Sequence, residues 1–169
     1  KSDYKLLSIQ GQFNTFMLRN LSGKPNTNHE LLVGTDFAHI ITTNYDLLLT
    51  DAADKFNPSL CLRSYSLDDA ASLAAQLYNK SPSIIYMHGR IDKISFGDFV
   101  FTSGDYVKIR HAYPGFTLAL KSLFLTHSIL FVGYGGNDPH LDDLLREMRH
   151  IFDDSSGTSR QPFRYYMLM

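Results

Sequence analysis

A chain of 169 residues suffices for one domain of ordinary size, and at that length folding buries roughly two-thirds of the surface the unfolded chain exposes. An apolar share of 44% with 20% charge suits a globular core under a polar surface, and 16 basic against 17 acidic residues argue against a nucleic-acid binder or a protein drawn to an anionic membrane. The single cysteine, Cys61, excludes an internal disulfide and a four-cysteine zinc module.

Residues 1–15 lack a basic start followed by an apolar block, so no signal peptide is expected. Ser22–Asn28 is rich in turn formers and predicts a surface loop. Ala38–Thr43 then reads as a buried strand, followed by Leu60–Arg63, Ser83–His88, Asp98–Thr102, Ser128–Val132 and Phe163–Met169. Cys61, inside Leu60-Cys61-Leu62, predicts a buried, inert thiol. Helical patterns fall at Asp68–Tyr78, Gly115–Thr126 and Pro139–Ile151. In the last of these, Leu141, Leu144, Leu145, Met148 and Ile151 share a stripe, Asp138 can cap and Pro139 fits the first position. Arg146, Arg149 and His150 lie near its C-terminal end, where the helix dipole favours cations. The most apolar region, Leu118–Val132, is broken by Lys121 and His127 and is shorter than the ~20 residues a membrane span needs. Residues 153–161 predict a second surface loop. No repeat or low-complexity segment is present, and a soluble, cytoplasmic chain is expected.

Strands apolar on both faces alternating with helices predict an α/β fold, a Rossmann-like, doubly wound and mostly parallel sheet flanked by helices. Ligands of such sheets bind where strands end. Three strand ends carry candidate chemistry. The first is Thr42-Thr43-Asn44-Tyr45-Asp46, where Asn44 offers an amide to a ligand or, alternatively, caps a helix starting at Tyr45. Asp46 there is either a support for the loop or an acid favoured by the helix dipole. The second is His88-Gly89, whose imidazole suits proton transfer near neutral pH or, alternatively, bonds a backbone carbonyl. The third is Gly133-Tyr134-Gly135-Gly136-Asn137-Asp138-Pro139, whose glycines allow close approach of a ligand. Asp138, Asp142 and Asp143 disfavour a phosphate at that helix start, so ribose or adenosine contacts fit better than pyrophosphate. Tyr134 can serve that loop or pack in the core.

In order and position these motifs resemble the sirtuin-like NADase domains of bacterial anti-phage defence proteins. TTNYD at 42–46 is similar to the family's post-strand Asn/Asp motif, His88-Gly89 to its catalytic His-Gly, and FVGYGGNDP at 131–139 to its later glycine loop. Phe101–Tyr106 and the closing Phe163–Met169 add to the likeness, which covers about residues 36–169 of a single domain expected over 1–169. Thr43 stands where deacylating sirtuins carry Gln, and their zinc module is absent, so the resemblance implies NAD hydrolysis rather than protein deacylation. The family's first strand and Gly-Ala-Gly-type loop have no counterpart, since Gly11 and Gly23 stand alone; the expectation is a chain that starts downstream of them, with a degenerate site as the alternative.

The resemblance implies an NAD+ glycohydrolase that cleaves the nicotinamide–ribose bond to give nicotinamide and ADP-ribose. Asn44 and His88 are its expected catalytic pair, converging in one cleft on a shared ribose. Thr43, Asp46, Gly133, Tyr134 and Gly135 are its expected NAD contacts or supports. NAD enters as substrate, and no metal, nucleic acid or membrane is expected. A homo-oligomer and an added domain or partner such as an ATPase are further expectations. The alternatives are a non-catalytic module binding NAD or an ADP-ribose derivative, and a purely architectural domain.

Overall fold

The computed structural model describes residues 2–93, 100, 103–153 and 164–168, the side chains of 2–10, 14, 103, 152 and 153 excepted. They fall into two compact units, 1–101 and 102–169.

The first unit opens with helix α1 (Ser2–Leu21) and helix α2 (Thr27–Gly34). The loop expected over 22–28 is two residues shorter, because Asn26 caps α2: its Oδ1 accepts the backbone N–H groups of Asn28 and His29, and His29 Nδ1 accepts the Asn26 N–H in return. Strand β1 (His39–Thr42) leads to helix α3 (Leu48–Phe56), strand β2 (Arg63–Tyr65), helix α4 (Ala70–Tyr78) and strand β3 (Ser83–Tyr86). All pairs are parallel and the order is β1-β3-β2, so β3 is central and its four residues are all buried. A run apolar on both faces is what a central parallel strand requires. Val33, Ala52, Ala53, Ile84 and Tyr86 form the core beneath α2 and α3.

Two expectations shift here. The strand predicted at Leu60–Arg63 starts only at Arg63, because Pro58–Leu60 forms a 3-10 turn that Cys61 closes in the left-handed conformation, φ 47°. That turn also brings Cys61 to the surface, so the thiol is exposed rather than buried. The strand predicted over 98–102 lies outside the described residues except for Val100.

The second unit contains helices α5 (Ser103–Ala112), α6 (Pro114–Thr126) and α7 (Pro139–Asp153), with the parallel strands β4 (Ile129–Val132) and β5 (Tyr165–Leu168). The α6 face of Phe116, Leu120, Leu123 and Phe124 is buried, and the Tyr165 hydroxyl donates to the Phe124 carbonyl at 3.0 Å. On α7, Leu141, Leu144 and Met148 are buried, but Ile151 at the end of the predicted stripe is exposed. Asp138 caps α7, its Oδ1 accepting the N–H groups of His140 and Leu141. Unlike β3, the pair β4–β5 is not buried on both faces: Leu130, Val132, Tyr166 and Leu168 are exposed. The segment 154–163, with most of the second predicted loop, lies outside the described residues. Among the described residues, no helix is long and apolar enough to cross a membrane.

Burial separates positions that look alike in the sequence. Ile84→Ala, at a site 0% exposed, is expected to cost about 2–5 kcal/mol of unfolding free energy. Tyr78→Ala, 87% exposed on α4, is expected to stay within about 0.5 kcal/mol. Chemical denaturation of both variants against the parent checks the contrast.

Candidate functional site

The carboxyl edge of β1 and β3 is built by one register. Ile41 pairs Ile85 and Thr42 pairs Tyr86, so Asn44 and His88 each stand two residues beyond the last pair on adjacent parallel strands. Backbone hydrogen bonds continue across the gap after the strands end. Met87 N–H donates to the Thr42 carbonyl at 3.0 Å, and Ile91 N–H donates to the Tyr45 carbonyl at 2.9 Å. The two loops are therefore stitched together on one edge of the sheet.

Asn44 does not cap a helix at Tyr45. Helix α3 starts at Leu48, and Asp46 Oδ1 accepts the Leu48 N–H at 3.0 Å in an Asx turn. The Asn44 backbone N–H bonds the Thr42 hydroxyl at 3.1 Å, and its side chain is exposed. Thr43 is half-buried beside it. Asp46 thus shapes the loop while its charge reaches Tyr86. Burial pushes the Tyr86 hydroxyl above its ordinary ionisation range, the Thr50 hydrogen bond and Arg90 oppose that, and Asp46 adds to it.

His88 lies on the same edge with the opposite exposure, only 4% of its surface being open. It follows the central strand, and the chain then turns sharply. Gly89 has φ 98°, and its N–H reaches back to the Tyr86 carbonyl at 3.4 Å. A residue with a Cβ is strained in that conformation. The Tyr45 ring stands 6.4 Å from the imidazole, centroid to centroid, at 38°.

Arg90 is a shaping residue that pattern reading missed. Its guanidinium is bidentate to Asp92, donates to the Ser64 hydroxyl and lies 5.3 Å from the Tyr86 ring centroid. It locks the turn after His88 to β2. No periodicity marks such a residue; its place directly after His-Gly is the one signal the sequence offers.

The predicted contacts Gly133, Tyr134 and Gly135 belong to the second unit, between β4 and α7. Gly133 and Gly136 take positive φ, 67° and 74°, and Gly133 and Gly135 are exposed with open space where a Cβ would stand. Tyr134 is half-buried, 5.6 Å from the Phe131 ring centroid, and its hydroxyl donates to Asp142 at 2.7 Å. Burial, reinforced by Asp142, pushes that hydroxyl from 10.0 up to about 12. Tyr134 is thereby pinned to the first turn of α7. Among the described residues, no group of three or more His, Cys, Asp or Glu side chains is gathered as a metal site.

Comparison with known proteins gives the family. A family model described as SIR2-like domain matches residues 38–169, and the chain belongs to that family. Defense-associated sirtuin 2 of Bacillus subtilis is 30% identical over 131 residues, covering 77% of this chain and 12% of the relative. NAD(+) hydrolase ThsA of Bacillus cereus (strain MSX-D12) is 27% identical over 163 residues, covering 95% of this chain and 32% of the relative. A ThsA of Enterococcus faecium is 30% identical over 133 residues, 76% of this chain and 26% of the relative. The chain therefore spans a third or less of the length of these relatives.

The Tyr134–Asp142 contact gives a pH signature. The raised tyrosine contributes stability that is complete below pH 10.0 and is lost as pH rises through about 12. Titration of phenolate absorbance in the parent and in Tyr134→Phe is expected to differ by one tyrosine ionising near pH 12.

Proposed function

Taking membership of the SIR2-like family as the premise, we propose that this chain forms the NAD+-cleaving part of a larger cytoplasmic protein, hydrolysing the nicotinamide–ribose bond in anti-phage defence. One observation carries the proposal: an amide, Asn44, and an imidazole, His88, stand at equivalent positions beyond two adjacent parallel strands. That is the edge at which sheets of this kind take ligands. The names of the relatives, a defence-associated sirtuin and NAD(+) hydrolases, support the substrate and the setting. We read the two units as one catalytic domain, because the family match runs through both.

The chemistry follows from the leaving group. The bond from C1′ to the pyridinium nitrogen breaks with its electron pair going to nitrogen, so nicotinamide leaves neutral and needs no acid. The sugar carries the developing positive charge, and water adds to C1′ and gives up a proton. In this reading His88 takes a proton from the attacking water or a ribose hydroxyl, and Asn44 holds the water or ribose through its amide. Thr42 and Asp46 keep the Asn44 loop in shape, and Thr43, half-buried beside Asn44, contacts NAD. In the second unit, Gly133, Tyr134 and Gly135 present the open backbone and fixed ring that ribose and adenosine contacts require. Assembly into a homo-oligomer, and an added domain or a partner such as an ATPase, belong to the same proposal; the greater length of the relatives supports the added domain.

The burial of His88 favours a second reading, a non-catalytic module that binds NAD or an ADP-ribose derivative, because an enclosed imidazole exchanges protons with water only when its cover opens. Nicotinamide release separates the two. In the full-length protein, His88→Ala is expected to lower release by about 10²–10⁴-fold and Asn44→Ala by about 10²-fold, with the fold intact by circular dichroism. Binding without turnover in the parent would favour the sensor; unchanged release in both variants would remove these residues from the chemistry.

A further inference from the structure

We infer that Tyr45 is the positioning residue of the site, holding the His88 imidazole through its ring; this rests on the reading of His88 as the base. Tyr45 is tied to both groups, to one through the chain and to the other through the neighbourhood of its ring. It follows Asn44 directly, and its carbonyl accepts the Ile91 N–H at 2.9 Å, closing the turn that contains His88. Its hydroxyl donates to the Val100 carbonyl, so the ring is fixed at both ends. Its flank packs in an apolar cluster with Met17, Ile91 and Leu47. The ring stands 6.4 Å from the His88 imidazole, centroid to centroid, tilted at 38°.

A ring tethered at its hydroxyl and at its own backbone has little freedom to swing. It therefore limits the rotation of an imidazole beside it, and it keeps water from that side of the base. Asn44 inherits the same tether through the peptide bond, so one residue sets the separation of the amide from the imidazole. Misplacement of a reacting group by about 1 Å can cost on the order of 10² in rate. A side chain acting in this way affects turnover and leaves substrate affinity alone.

The test uses the full-length protein with Tyr45→Phe, Tyr45→Leu, Leu47→Ala and His88→Ala. Leu47 shares the apolar cluster and serves as the control for lost packing. The readouts are kcat and KM for nicotinamide release, together with the carbon–proton resonances of the His88 ring, assigned by their disappearance in His88→Ala. Tyr45→Phe retains the ring but releases its tether to Val100, so it is expected to lower kcat and to move the His88 resonances, each by less than Tyr45→Leu does. Tyr45→Leu is expected to lower kcat by about 10–100-fold with KM within about threefold, and to move the ring resonances. Leu47→Ala is expected to lower the melting temperature with kcat within about threefold of the parent.

Unmoved His88 resonances in Tyr45→Leu would overturn the inference. So would a kcat loss no larger than that of Leu47→Ala, or a rise in KM at constant kcat, which would put Tyr45 on the substrate. These results leave the role of His88 standing. Undiminished release by His88→Ala overturns the base assignment and this inference with it, and so distinguishes the two failures.

Discussion

The parallel pairing of β1 with β3 is the constraint on which the site depends. Parallel strands exchange evenly spaced hydrogen bonds, so a register once chosen holds along the whole pair. Here it is set by His39 opposite Ser83, whose Nδ1 and Oγ also meet at 2.9 Å, and by the isoleucine pairs that follow. A slip of one residue would exchange the face of Ile84 and Tyr86 for that of Ser83 and Ile85, both buried, and would also move His88 past Asn44. The core and the site thus share one determinant. Packing of Ile84, Ile85 and Tyr86 fixes a register that a polar pair beyond the strands then inherits.

Beyond the strand ends, the arrangement relies on local devices. Asp46 takes the first free N–H of α3, which leaves the Asn44 side chain out of capping. Arg90 draws β2, β3 and a 3-10 turn over Ile91–Lys93 together through one guanidinium, a planar fork suited to several partners at once. In the second unit, Asp138 and Asp142 divide the start of α7 between them, one accepting backbone N–H groups and the other the Tyr134 hydroxyl. These carboxylates occupy the place a phosphate would seek.

Much of this was legible in the sequence because the signals were local. Isoleucine pairs flanked by polar residues marked β1 and β3, and the stripe on α7 with its Asp-Pro start marked that helix. What remained hidden was decided by competition between neighbours. Asn44 and Asp46 are both residue types that cap, and only the folded loop shows that Leu47 stands at the cap position while Asp46 makes an Asx turn to Leu48. Leu60-Cys61-Leu62 reads as strand, yet Pro58 starts a turn that forces Cys61 into the left-handed region and out to solvent. Burial on β4 and β5 was likewise unreadable, because an apolar run looks the same whether or not both faces are covered. The enclosure of His88 was not legible either, since burial depends on how the folded chain packs around a residue and not on its neighbours in the sequence.

That reversal gives the glycine at 89 a meaning of its own. With φ at 98°, the chain doubles back one residue after the imidazole, a path for which a side chain would be an obstacle. The histidine is aimed by what its successor lacks. Position 88 and position 89 therefore work as a single letter of the fold's alphabet, and a histidine at a strand end without that partner is a different object, even where the rest of the motif reads the same.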